Sequence, residues 1–176
     1  MKKCLFTALT LSVVFLIHAV ANAQSEADRL EDKLSHYIET KMPGWKHKRG
    51  EPMVGTSKDV VTEFWGWSNR VVKISVMPHK TPDEAREAIR EFVKYDREKQ
   101  ELNGFGDEAY AWGFGLGNVV FRRGKFNVYV STVADVDDDA DARTLSQSEK
   151  DARMKSEMKR LSQEFAKQVV AAIDLP

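Results

Sequence analysis

The chain is 176 residues long, with 27 basic and 27 acidic side chains and a single cysteine. That length suits one domain, the cancelled charge removes the electrostatic case for a nucleic-acid binder, and one cysteine excludes a disulfide framework. Aromatic and β-branched residues are frequent enough to build a core, so the charged fraction of 31% does not imply disorder.

Residues 1–23 have the layout of a secretory signal peptide. Lys2 and Lys3 form a charged start, an apolar stretch runs from Leu5 to Val20, and Ala21-Asn22-Ala23 is an A-x-A cleavage site. The stretch is near the lower length limit for a membrane span, but His18, Ser12 and the small-residue site favour cleavage over anchoring. Cys4 precedes the apolar stretch, the wrong place for lipidation. Cleavage would leave residues 24–176 as one cysteine-free domain, periplasmic or secreted, with no transmembrane segment and no thiol chemistry.

Ala27, Leu30, Leu34, Ile38 and Met42 recur at steps of three and four, which predicts an amphipathic helix ended by Pro43-Gly44. A polar stretch, Trp45 to Lys58, follows and includes the basic run Lys46-His47-Lys48-Arg49, read as a solvated loop. Val60 to Trp67 and Arg70 to Met77 read as a hairpin around Ser68-Asn69, with Val72, Ile74 and Val76 on the buried face. Thr81-Pro82-Asp83-Glu84 is a helix start with capping-box potential. The helix carries an Ala85, Ala88, Ile89, Phe92, Val93 stripe, and Gly104 and Gly106 are its stop. Strands are predicted at Glu108 to Trp112, Asn118 to Arg122 and Phe126 to Ala134. Met154, Met158, Leu161, Phe165, Val169 and Ile173 then mark a long helix, with Glu149–Arg153 and Asp151–Lys155 as acid-before-base pairs. The order α-β-β-α-β-β-β-α predicts an α+β domain, an antiparallel sheet of about five strands covered by amphipathic helices.

Gly106-Asp107-Glu108-Ala109-Tyr110, followed by Val119 to Phe121 and the Arg122-Arg123-Gly124-Lys125 turn, resembles a hairpin of small exported bacterial α+β domains of unassigned function, some of them PsbP-like. The resemblance spans about 30 residues. It implies a fold and an exported location, and it brings no catalytic residue with it.

The catalytic inventory is mostly negative: G-x-S-x-G, H-E-x-x-H and the P-loop pattern do not occur. Gly113 to Gly117 lacks the third glycine of a dinucleotide fingerprint, because residue 118 is Asn118, and it reads as a flexible hairpin loop. His36, His47 and His79 are widely spaced and read as surface residues. Asp107 and Glu108 are neighbours on a strand and diverge. Glu63 is expected to face solvent, the alternative being a partly buried carboxylate with a raised pKa.

Two leads remain. Asp135, Asp137, Asp139 and Asp141, with Asp138 between them, offer the hard oxygen ligands that calcium prefers. Ala140 and Ser146 replace the glycine and glutamate of an EF-hand, so the simpler reading is a solvated acidic connection ahead of the long helix. Trp65, Trp67, Trp112 and Phe114 lie near predicted turns and can line a groove, the plainer reading being packing beneath a helix. The sequence therefore points first to an exported, non-catalytic binding or interaction module of the bacterial cell envelope. Its partner would be a protein, a peptide or a small amphiphile, and no cofactor is required. The alternative is an envelope enzyme or enzyme accessory that uses carboxylates, with calcium as its one plausible ion; a purely structural interaction protein is the third reading.

Overall fold

The computed structural model describes residues 26–51, 59–137, 139 and 141–175. The expected signal peptide, most of the Glu51 to Lys58 stretch, and Asp138 and Ala140 of the acidic run lie outside them.

Helix α1 (Glu26–Lys41) turns one side to the protein because Leu34, Ile38 and, just beyond it, Met42 recur every four residues, and all three are buried. Pro43 and Gly44 follow its end. The basic run then forms a strand, β1 (Lys46–Arg49), rather than a loop. Its charged side chains carry no alternation that would reveal a strand, yet they suit an edge position that has one neighbour and faces water. That neighbour is β2 (Val61–Trp67), which makes a hairpin with β3 (Arg70–Pro78) through Ser68-Asn69, Ser68 being left-handed at φ +51°.

Thr81 caps α2 (Pro82–Val93) by accepting the Glu84 N–H at 3.1 Å, while the Glu84 carboxylate turns back to the Lys80 N–H. The helix stops at Val93, earlier than the glycines suggested, and the chain next forms a two-residue strand, β4 (Gln100–Glu101). A meander completes the sheet: β5 (Glu108–Trp112), a single 3-10 turn at Phe114–Leu116, β6 (Asn118–Arg123) and β7 (Phe126–Ala134). The final helix, α3 (Gln147–Asp174), opens on a capping box in which Ser146 and Glu149 satisfy each other's backbone N–H groups. That box takes the Glu149 carboxylate, so the expected Glu149–Arg153 pair does not form; Arg153 reaches Asp141 at 2.8 Å, and Asp151 accepts from Gln147 rather than from Lys155.

The class is α+β, with seven antiparallel strands in the order β1-β2-β3-β7-β6-β5-β4 where about five were expected. Both additional strands are short, polar edges. Helices α1 and α3 cover one face, over a core that contains Trp65, Phe121, Ile74, Leu161 and Phe165. On the other face α2 lies over β6 and β7 and buries Ile89 and Val93 against Val120. Among the described residues no helix is long and apolar enough to cross a membrane.

The glycine-rich segment is not a loose loop. Gly115 has φ +61°, and a Cβ on it would lie 2.6 Å from the Lys155 Cα of α3. Ser162 of α3 also donates to the Leu116 carbonyl at 3.0 Å. Glycine is required because the turn and the helix backbone touch.

Phe165 is fully buried, 4.8 Å from Trp45 in an edge-on contact and 6.2 Å from Trp65. Its replacement by alanine removes apolar burial and leaves a cavity, so Phe165→Ala should cost about 3–5 kcal/mol. Lys159→Ala, at an exposed position of the same helix, should stay within about 0.5 kcal/mol. Denaturant melts of both variants beside the parent measure the difference, and equal losses would mean that the α3 stripe is not part of the core.

Candidate functional site

The underside of α1 holds the features with the most chemical potential. At the Pro78↔Phe126 end of the β3–β7 ladder, the first turns of α1 offer only Ala27 and the half-buried Leu30. A cavity of about 380 Å³ opens there, with Ala27, Leu30, Pro78 and Phe126 as its apolar lining and Asp59, His79, Lys80 and Lys125 as its polar members. Its volume is at the small end of ligand sites. His79 is held by two bonds: its backbone N–H donates to the Lys125 carbonyl at 2.9 Å, and its Nε2 lies 3.0 Å from Asn127 Nδ2. The same Asn127 nitrogen donates to the Ala85 carbonyl at 2.9 Å, which can only accept, so the amide orientation is set and His79 Nε2 acts as the acceptor. Lys80 forms no ion pair among the described residues.

Further along α1 lies a buried acid. Alternation in β2 puts Glu63 on the face shared by Val61 and Trp65, and α1 and α3 cover that face, so Glu63 is 0% exposed instead of facing solvent. Trp65 Nε1 donates to Glu63 Oε2 at 3.0 Å. Glu63 Oε1 and His47 Nε2 are 3.9 Å apart, too far for a hydrogen bond, and neither atom has another partner among the described residues. Burial pushes the Glu63 carboxyl up to about 7; the Trp65 bond opposes this, and the Glu31 and Glu39 carboxylates of α1 add to it. Burial also pushes His47 down, against the Glu39 charge. The state that suits both groups is a protonated Glu63 facing an unprotonated His47 nitrogen. Beside them Arg49 of β1 pairs with Glu31 at 3.0 Å and with Asp28 at 2.9 Å, tying α1 to the sheet edge. His47 therefore belongs to the interior on one side of its ring, where it stacks on Trp65 at 4.7 Å, and is not a plain surface residue.

A second cavity, of about 340 Å³, lies by β4 and β5 and is polar. Its groups answer one another: Tyr110 donates to Glu108 at 2.7 Å, Arg90 donates to the same carboxylate at 3.1 Å, and Asp107 turns away to Arg122 and Arg123. Burial and the Glu108 carboxylate push the Tyr110 hydroxyl up to about 12.

The four aromatic residues expected to share a groove are divided. Trp65 is fully buried on the α1/α3 face, and Trp67, on the same face, is half exposed and lies 6.2 Å from Trp45. Trp112 is on the opposite face with Phe92 and Tyr129, and Phe114 sits on the 3-10 turn under the Lys155 ammonium. Trp65 and Trp67 share a face of β2, Trp112 lies on the other face of the sheet, and Phe114 lies on no strand.

The acidic run is an ion-pair clasp at the start of α3. Asp137 meets Lys150 at 3.1 Å, Asp139 meets Arg70 at 2.9 Å and Arg153 at 3.4 Å, and Asp141 meets Arg153. Arg70, only 8% exposed, also pairs with Glu157. Asp135 uses its carboxylate on the Asp137 N–H. Among the described residues no three His, Cys, Asp or Glu converge on one point.

The cavity residues were the part that sequence reasoning passed over. Ala27 and Leu30 were visible only as the weak start of a helical stripe, and Lys125 only as a member of a basic turn. No family model matches the chain, and neither a curated protein nor a solved structure matches it.

Glu63 fixes a pH dependence with a definite sign. Its folded pKa is raised, so below about 4.5 the carboxyl is neutral in both states and its burial is fully tolerated. Between about 4.5 and 7 the native state holds a proton that the unfolded chain gives up, and stability falls as pH rises, by roughly 3 kcal/mol in all. The lowered His47 works the other way below its ordinary value of 6.5, where the unfolded chain gains the proton first. Glu63→Gln should therefore melt above the parent at pH 8 and lose that advantage by pH 4.5. Thermal melts across this range check it, and parallel curves for the two proteins would remove the buried acid from the account.

Proposed function

We propose that this chain is a non-catalytic binding module of the bacterial cell envelope, and that it holds a small amphiphile in the cavity beneath the first turns of α1. The observation that carries the reading is the division of that cavity: an apolar lining of Ala27, Leu30, Pro78 and Phe126 beside Lys80, Lys125 and His79, with Asp59 as the one acid among the described residues. Apolar walls favour a tail through burial, and the Lys80 ammonium favours an anionic head. The half-buried position of Leu30 lets α1 close one side of the ligand. The alternative, an enzyme or accessory that works through carboxylates, has Glu63 in its favour because that carboxyl is pushed up to about 7. Glu63, however, lines neither the cavity beneath α1 nor the polar one by β4 and β5.

The test compares decanoate with decyltrimethylammonium, which share a tail and differ in the sign of the head. Isothermal titration should show decanoate binding at least about tenfold more tightly. Lys80→Glu should reduce that preference or reverse it, and Leu30→Arg should abolish both interactions while the melt stays cooperative. Equal affinities for the two, or decanoate binding untouched by Leu30→Arg, would reject the site.

Export is part of the same proposal, supported by Lys2, Lys3, the apolar stretch and Ala21-Asn22-Ala23. Protein purified from the exporting cell should begin at Gln24 by mass spectrometry of the intact chain. Membrane-embedded protein that retains Met1 to Ala23 would reject it.

A further inference from the structure

The sheet is covered unequally. Two helices, α1 and α3, lie over one face, whereas on the other α2 lies over β6 and β7, so that among the described residues no helix lies over β1, β2 and β3 on that side. The ladder registers define what that open half carries. One row across it reads Lys46, Gly66, Val71, Val133; the next reads Lys48, Phe64, Lys73, Ser131; the third holds Thr62, Ser75 and Tyr129. Paired residues point to one side, so the surface has an apolar centre and three lysines, and among the described residues no carboxylate stands in these rows between β1 and β7.

The apolar members are exposed to an unusual degree for a sheet face: Phe64 by 36%, Val71 by 43% and Val133 by 63%. Phe92 of α2, 56% exposed and 5.8 Å from Tyr129, continues the patch toward α2. Contiguous apolar surface framed by charge is the usual mark of an interaction site. Lys73, which lies 6.0 Å from the Phe64 ring, keeps a cation at its middle.

Dimensions select the occupant. With α2 above the β6–β7 pair, a line above β2 and β3 is two strand spacings away, about 10 Å. That equals the usual distance of about 8–10 Å between packed helix axes. The step formed by α2 therefore has room for one more helix lying beside it, while a bilayer surface could not reach the floor next to that step. A second copy of the chain would bring lysines against lysines.

From this we infer that the open half of the sheet docks an amphipathic helix of another protein, one whose apolar stripe is flanked by glutamates or aspartates. Its stripe covers Phe64, Val71 and Val133, and its acidic flank meets Lys46, Lys48 and Lys73. This surface is on the opposite face from the α1 cavity, so the inference does not depend on the amphiphile reading.

The experiment uses the full chain and two labelled synthetic helical peptides that share a leucine stripe, one flanked by glutamates and the other by lysines. Fluorescence anisotropy should give the glutamate peptide a Kd lower by at least about tenfold. Val133→Asp should weaken it by a similar factor. Lys73→Glu should weaken it and strengthen the lysine peptide. Unchanged circular-dichroism melts of both variants show that the fold is intact, and decanoate titration of the same variants should be unaffected. Equal binding of the two peptides, binding of neither, or indifference to Val133→Asp would overturn the inference. So would sedimentation of the parent as a dimer that Val133→Asp dissociates, because a second copy would then occupy the face.

Discussion

The pairing of β3 with β7 is the constraint on which the rest of the molecule depends. It joins residues far apart in sequence along a nine-residue register, from Arg70↔Ala134 to Pro78↔Phe126, and among the described residues it is the one seam between the hairpin half of the sheet and the β4–β7 meander. Closing a loop of that length costs chain entropy before any contact offsets it. The offset comes from the side chains that the seam aligns, with Val72, Ile74 and Val76 beside Val128 and Val130 under α3 and α1. Both ends of the seam carry chemistry. At one end Arg70 gathers Asp139 and Glu157 and fixes the approach to α3; at the other, Pro78 and Phe126 floor the cavity.

Helix α1 depends on the same arrangement for a different reason. It covers an interior that is not wholly apolar, since Glu63, His47 and Glu31 lie beneath or beside it. Burying an acid without a full set of partners costs free energy, and the protein meets that cost by holding the carboxyl protonated up to about pH 7 and by tying α1 to β1 through Arg49. The helix that closes the cavity thus rests on a group whose charge changes near neutrality. Cavity and buried acid share a lid, although they do not share a lining.

Polar clusters elsewhere are structural in kind. The Asp137, Asp139 and Asp141 carboxylates are matched by Lys150, Arg70 and Arg153, and the Asp107 and Glu108 carboxylates by Arg122, Arg123 and Arg90. In both places neighbouring acids on the chain are pulled apart by cations from distant elements. An acidic run in a sequence shows how much negative charge is present; the fold decides whether that charge is left for a ligand.

Much of the architecture was legible along the chain because local periodicity carries it. The steps of three and four in α1 and α3, the alternation in β3 and the Thr81 start each express a short-range rule that tertiary contacts did not override. The edges β1 and β4 were not legible, since a strand with one neighbour needs no apolar alternation and Lys46–Arg49 shows none. The candidate site was hardly legible at all. Alternation alone put Glu63 on the face of Trp65, but only the placement of α1 and α3 over that face made it a buried acid. Ala27, Pro78, Lys80 and Phe126 come from four separate segments whose meeting is set by the β3–β7 seam. The sequence by itself determined which residues can form helices and strands and which side of each is apolar, because those properties depend on neighbours three or four positions away. Which apolar side is covered, which charge is matched and where a cavity remains were decided only by the tertiary structure, because they depend on contacts between segments that no local pattern encodes.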